Sequence, residues 1–135
     1  MRTAIDSSVL WSLIKEEAGW EAWAETLQRA ASEGPLLVSA VTFAELSPSA
    51  GDPATLNGFL NRLGIRYDDI REDAAFLAGC TFKEYRLRGG PRQHLVPDFL
   101  IAAHAQVQAD RLAARDRGYL RRWFPHLRLL EPTAN

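Results

Sequence analysis

Short apolar runs and longer periodic stretches alternate along the chain. Thr3-Ala4-Ile5, Leu36-Leu37-Val38, Ile65-Arg66-Tyr67 and Leu112-Ala113-Ala114 are four such runs, and Leu127, Leu129 and Leu130 suggest a fifth. Runs this short, bounded by turn residues, read as strands. Helical signals fall between them. Asp6-Ser7-Ser8 offers N-cap side chains ahead of Val9, Leu10, Leu13 and Ile14. Trp20, Trp23, Leu27 and Ala31 predict a helix over 17–33, stopped by Gly34-Pro35. Val41 to Leu46 reads as a short helix, and Ser47 to Pro53 as a polar break. Leu56, Phe59, Leu60 and Leu63 mark another helix, closed by Gly64. Ala74, Leu77, Ala78, Phe82 and Tyr85 mark a long one running to Gly89-Gly90. Pro97 opens a helix carrying Leu100, Ile101, Ala103, His104 and Val107.

Strands alternating with helices predict an α/β fold, with a parallel sheet, helices on both faces and right-handed crossovers. In such sheets ligands bind at the C-terminal ends of the strands. Order alone brings two acids there: Asp6 after the first strand and Asp116 after the fourth.

Composition narrows the class. With 135 residues, no internal repeat and no linker, one domain spanning 1–135 is expected. Apolar residues at 47% and charged residues at 24% exclude a disordered chain. Cys80 is the only cysteine, which excludes an intramolecular disulfide and a Cys-rich zinc site. The apolar stretch Leu36 to Phe43 is far shorter than the ~20 residues of a membrane span. The opening segment, with Arg2 alone before Asp6, lacks the pattern of a secretory leader, so a cytoplasmic setting is expected.

The net charge of −1 hides an asymmetry. Residues 1–79 hold six bases and twelve acids, whereas residues 80–128 hold ten bases and four acids. The bases are mostly Arg, which pairs bidentately with phosphate. A basic face of this kind suits an anionic polymer, although salt bridges and a solvated helix face would also absorb it.

Four acids border stretches that otherwise look like core: Asp6, Glu45 in Phe43-Ala44-Glu45-Leu46, Asp98 in Val96-Pro97-Asp98-Phe99, and Asp116. Each has a plain structural explanation. Asp6 could cap the following helix, Asp98 could complement a helix dipole, Asp116 could cap the turn at Arg117 to Trp123, and Glu45 could face water. Together they would repel: a like-charge pair at 4 Å costs about 4 kcal/mol at an effective dielectric near 20. A convergent cluster therefore calls for a counter-ion, and hard oxygen ligands point to Mg²⁺ or Mn²⁺. Such ions generate hydroxide and stabilise charge in phosphoryl displacement.

At these residues the sequence resembles the PIN-domain ribonucleases, specifically the VapC-type toxins of prokaryotic toxin–antitoxin systems. The pieces are Ala4-Ile5-Asp6-Ser7-Ser8-Val9-Leu10, Val41-Thr42-Phe43-Ala44-Glu45-Leu46, Pro97-Asp98-Phe99-Leu100-Ile101-Ala102-Ala103-His104-Ala105, and the segment from Arg115 to Pro125. The resemblance implies a three-layer α/β/α PIN-like domain with a short, mostly parallel central sheet of four to five strands. It implies a metal-dependent endoribonuclease, using Mg²⁺ or Mn²⁺, with Asp6, Glu45, Asp98 and Asp116 as the acidic, metal-holding site. Ser7 or Ser8 would orient Asp6 through hydrogen bonds. The expected reaction leaves 5′-phosphate and 3′-hydroxyl ends in exposed loops of structured RNA. A small antitoxin would neutralise the enzyme, and a homodimer or a hetero-oligomer with that antitoxin is implied, with the early and middle helices forming those faces. The family often carries Thr or Ser two residues before the last Asp; here Ala114 lacks that hydroxyl.

Arg115 and Arg117 flank Asp116 and are candidate phosphate contacts. Trp11, Trp20, Trp23 and Trp123 could stack on splayed bases, although Trp20 and Trp23, at i and i+3, better suit a core or a partner surface. His104 in its apolar helix suits a packed, hydrogen-bonded histidine. The three histidines are dispersed, and no Ser/His/Asp or Cys/His arrangement or phosphate-cradling loop is present. The competing readings are a housekeeping PIN nuclease and a non-catalytic module binding RNA or protein. A phosphoacceptor receiver domain is excluded, since only Lys15 and Lys83 exist and neither is late in the chain.

Overall fold

The computed structural model describes residues 1–92, 94–116 and 118–133. In chain order its elements are β1 (Thr3–Ile5), α1 (Ser7–Lys15), α2 (Trp20–Glu33), β2 (Leu36–Val38) and α3 (Ala40–Leu46), the last followed by a 3₁₀ turn (Ser47–Ser49). There follow α4 (Pro53–Arg62), β3 (Ile65–Tyr67), α5 (Glu72–Leu87), α6 (Val96–Gln108), β4 (Arg111–Ala113), α7 (Tyr119–Trp123) and β5 (Leu129–Leu130). The strands form one sheet in the order β3-β2-β1-β4-β5. Every pairing in it is parallel, where a mostly parallel sheet was expected. Thr3 pairs with Leu36 on one side and Arg111 on the other, so β1 is central.

Side chains alternate across this sheet, and each face has its own core. Ile5, Leu36, Val38 and Ala113 pack with Val9, Leu10, Trp23, Leu27, Leu56 and Leu60 of α1, α2 and α4. Ala4, Leu112 and Ala114 pack with Ala78, Phe99, Ala102 and Leu120 of α5, α6 and α7 and with Phe124 just after α7. The result is the three-layer α/β/α arrangement. Each fully buried Leu or Phe contributes about 1.5–3 kcal/mol. Helix α3 belongs to both layers: Leu46 is in the first core and Val41 packs on the second. The buried Thr42 hydroxyl donates to the Ile5 carbonyl at 3.4 Å, fixing α3 at the C-terminal end of β1.

Three boundaries differ from the sequence expectation. Helix α2 starts at Trp20 rather than 17, because Glu16 (φ 48°) and Gly19 (φ 90°) are left-handed and break the chain between α1 and α2. Strand β4 begins one residue early, since Arg111 is buried with its guanidinium donating to Thr3 and Glu33. Ala114 lies just beyond it, 1% exposed in the second core, so the position where the toxins that the sequence resembles often carry a hydroxyl is apolar packing here. At the start of the sheet, a Cβ on Gly34 would lie 2.1 Å from the Met1 carbonyl oxygen, an approach only glycine permits.

Trp23 is buried in the core. His104 is 1% exposed and bonded to Asp68 at 2.8 Å, the packed histidine its helix suggested. No helix among the described residues is long and apolar enough to cross a membrane.

Candidate active site

The strand order reverses at β1: the chain runs outward to β2 and β3, then returns to place β4 on the other side. At such a switch point the connections leave the sheet in opposite directions and open a crevice at the C-terminal strand ends. Asp6 follows β1 directly, and Ala114, Arg115 and Asp116 follow β4. A pocket of about 220 Å³ opens there, with Asp6, Ser8, Glu45, Asp98 and Arg115 on its walls. Three of the four sequence-predicted acids therefore share one cavity, delivered by three different segments.

Each is oriented by a neighbour. Asp6 occupies the N-cap position of α1, but its side chain does not cap the helix. Instead the Ser8 hydroxyl donates a short hydrogen bond to it. The Ser7 hydroxyl donates to Glu45 Oε1 at 3.1 Å, joining α1 to α3. The two serines thus divide the work, one on each acid. Asp98, in the first turn of α6, accepts the Leu95 backbone N–H at 3.0 Å, and His94 Nδ1 lies 3.9 Å from its carboxylate. The carboxylate therefore both caps the helix and faces the pocket.

Electrostatics register the gathering. Burial raises the affinity of the Glu45 carboxyl for its proton, the Ser7 hydrogen bond opposes this, and the charges of Asp6 and Asp98 push it up further. Glu45 is exposed as a whole, lines the pocket, and has its carboxylate held by Ser7.

Asp116 is not brought to this cavity. Its carboxylate is 2.6 Å from Arg121 and accepts the Gly118 N–H at 2.8 Å, while its own N–H donates to Glu131. Arg115 lines the pocket as expected of a phosphate contact. The other candidate, Arg117, lies outside the described residues. Trp11, one of four tryptophans able to stack on bases, also lines these walls, one helical turn after Ser7. Sequence reasoning missed two residues beside it: His94, which precedes α6, and Tyr119.

The sequence pattern of the PIN domain matches residues 3–123. The chain belongs to the PIN domain family. Solved structures agree in fold. A chain of VapBC2 from Rickettsia felis, crystallised with a DNA fragment from the promoter, superposes with a TM-score of 0.76 at 19% identity, covering 97% of this chain and 98% of that one. A chain of the DNA-bound VapBC from Salmonella typhimurium gives 0.71 at 22% identity, covering 98% and 99%. VapC20 from Mycobacterium tuberculosis, described as a sarcin–ricin loop cleaving toxin, gives 0.54 at 18% identity, covering 87% and 92%. Comparison with curated proteins returned no match.

In this PIN domain, no group of three or more His, Cys, Asp or Glu among the described residues is drawn together tightly enough to chelate a metal ion unaided. The donors nevertheless fit a hard cation: Asp6, Glu45 and Asp98 offer only oxygen, and after burial the charges of Asp6 and Asp98 raise the proton affinity of Glu45. Mg²⁺ is commonly held by one or two carboxylates plus waters and substrate phosphate, which a spread set of acids satisfies.

Proposed function

We propose that this PIN domain is a metal-dependent endoribonuclease toxin of a toxin–antitoxin system. The observation that carries the reading is the convergence of Asp6, Glu45 and Asp98 with Arg115 in one polar pocket at the sheet's switch point. Asp6 and Asp98 are the main ligands for Mg²⁺ or Mn²⁺, and Glu45 completes the set. Such an ion, when bound, would supply Lewis-acid activation of water and stabilise charge on a phosphodiester. Ser8 holds the Asp6 carboxylate in place, and Ser7 does the same for Glu45. Arg115 gives a scissile phosphate a cation to dock against. Asp116 is a fourth acid of the site in this reading, joining it when Arg121 releases its carboxylate. RNA loops are the substrate, in keeping with the described action of VapC20.

A small antitoxin is the expected partner, supported by the VapBC assemblies among the similar structures. An apolar groove of about 430 Å³ along α1, α2 and α4, with Leu13, Trp20, Leu27, Phe59 and Leu63 on its walls, offers such a partner a surface. A homodimer or hetero-oligomer and a cytoplasmic location complete the proposal, as does a single domain spanning 1–135.

Cleavage of total cellular RNA by the purified protein tests it, with Mg²⁺, Mn²⁺ or EDTA and with Asp98→Asn as control. Asparagine keeps an oxygen to accept the Leu95 N–H, so the helix start survives while the ligand charge is lost. Discrete fragments that require metal and Asp98 are expected. Absence of fragments from folded, antitoxin-free protein would move the assignment to a non-catalytic binding module.

A further inference from the structure

The acidic pocket has a wall that phosphodiester chemistry does not require. His94, in the connection between α5 and α6, stacks on Tyr119 at the start of α7, with ring centroids 3.9 Å apart and an interplanar angle of 23°. Trp11 of α1 lines the same cavity, and all three side chains are partly buried. The pair is anchored from below. Tyr85 meets His94 edge-on at 6.2 Å, Phe99 lies 6.0 Å from Tyr119, and Phe99 in turn packs on Tyr85 and Phe124. The aromatic core of α5, α6 and α7 thus continues outward to the cavity. The connection bearing His94 is tied down as well: the Tyr85 hydroxyl donates to the Pro91 carbonyl, and Asp98 holds the Leu95 N–H. Lys15 lies 4.8 Å over the Trp11 ring.

Oxygen ligands and a guanidinium suffice for a cation and a phosphate. Rigid, partly exposed rings beside them add what another flat ring recognises. We propose that Trp11, His94 and Tyr119 form a subsite for one unpaired nucleobase of an RNA strand, next to the phosphate at Arg115 and the acids. A base inside a duplex is already stacked and cannot enter, so the subsite selects single-stranded or splayed positions. Choosing RNA as the strand rests on the nuclease reading; the stacking surface rests on the rings.

Binding in EDTA separates the two. Fluorescence anisotropy would compare a single-stranded oligoribonucleotide with an abasic ribose–phosphate strand of the same length, while cleavage of total RNA is scored separately. Wild-type protein is expected to bind the base-bearing strand about tenfold or more tightly. That advantage should vanish in Trp11→Leu and Tyr119→Leu and survive in Tyr119→Phe, which keeps the ring. Equal affinity of the wild type for both strands, or an advantage that both leucine variants retain, would overturn the subsite. Should the leucine variants fail to fold, 2-aminopurine placed at successive positions decides with wild type alone. Added quenching at one position supports the subsite, and uniform emission overturns it. Cleavage without base-dependent affinity keeps the nuclease and removes the subsite; base-dependent affinity without cleavage does the reverse.

Discussion

The two ends of the central sheet treat charge differently. At the N-terminal ends of the strands, counter-charges are built into the chain. Arg111, 7% exposed, donates to Thr3 and Glu33 at 2.9 Å each. Asp110 accepts the Arg2 backbone N–H at 2.6 Å, and the Met1 ammonium donates to the Glu33 carbonyl at 2.8 Å. At the C-terminal ends three acidic residues share a pocket with Arg115 and His94, and the hydroxyls of Ser7 and Ser8 and the N–H of Leu95 orient the carboxylates. The same parallel backbone underlies both ends. Side chains at one end hold the sheet shut, whereas at the other they line an open cavity with oxygen donors.

That contrast can be broken at either end. The largest effect is expected from Asp6→Asn, which should lower metal-dependent RNA cleavage by at least about 10²-fold. It should also abolish the rise in melting temperature produced by Mg²⁺ or Mn²⁺, by linkage between binding and folding. Asp110→Asn, at the opposite end, should change neither. Next comes Arg111→Ala. Removing a buried guanidinium that serves Thr3 and Glu33 should cost about 2–3 kcal/mol in urea unfolding, with cleavage per folded molecule unchanged. Ser8→Ala frees the Asp6 carboxylate from its hydroxyl partner, and should weaken the apparent affinity for Mg²⁺ about tenfold while leaving the fold intact.

The smallest effect is a pH dependence. Glu45 binds its proton more tightly in the folded state than its ordinary value of 4.5 allows, because of burial first and then Asp6 and Asp98. A carboxyl raised in this way contributes stability that is fully present below the unfolded value and lost as pH rises through the folded one. Metal-free wild type should therefore lose ground to Glu45→Gln as pH rises from about 4.5 toward neutrality. Parallel urea midpoints at the two ends of that range would contradict the shared field.

Much of the frame was legible because its signals are local. Apolar triplets and helical spacing located the strands and helices, and their alternation implied the parallel order that carries Asp6 to a ligand-binding edge. The bounds of α2 were not legible, since the backbone reversal at Glu16 is a non-glycine in a left-handed conformation, which composition does not announce. Asp116 shows a different limit. Strand order placed it at the correct edge, but its carboxylate is taken by Arg121, a pairing settled by how α7 folds back. The place of His94 was not legible because it precedes α6, where no helical spacing applies, and only the fold of that connection brings its Nδ1 to 3.9 Å from Asp98.

The position of β1 also sets the timing of assembly during synthesis. Asp6 and Glu45 emerge from the ribosome early in this domain, yet β1 pairs on one side with β4, which begins only at Arg111. Arg115 and Tyr119, which close the cavity, come later still. A growing chain therefore displays Asp6 and Glu45 long before it owns Asp98 and the wall that together make a pocket. A polypeptide abandoned partway through translation would lack the cavity, which is completed in a late step when the fourth strand docks beside the first.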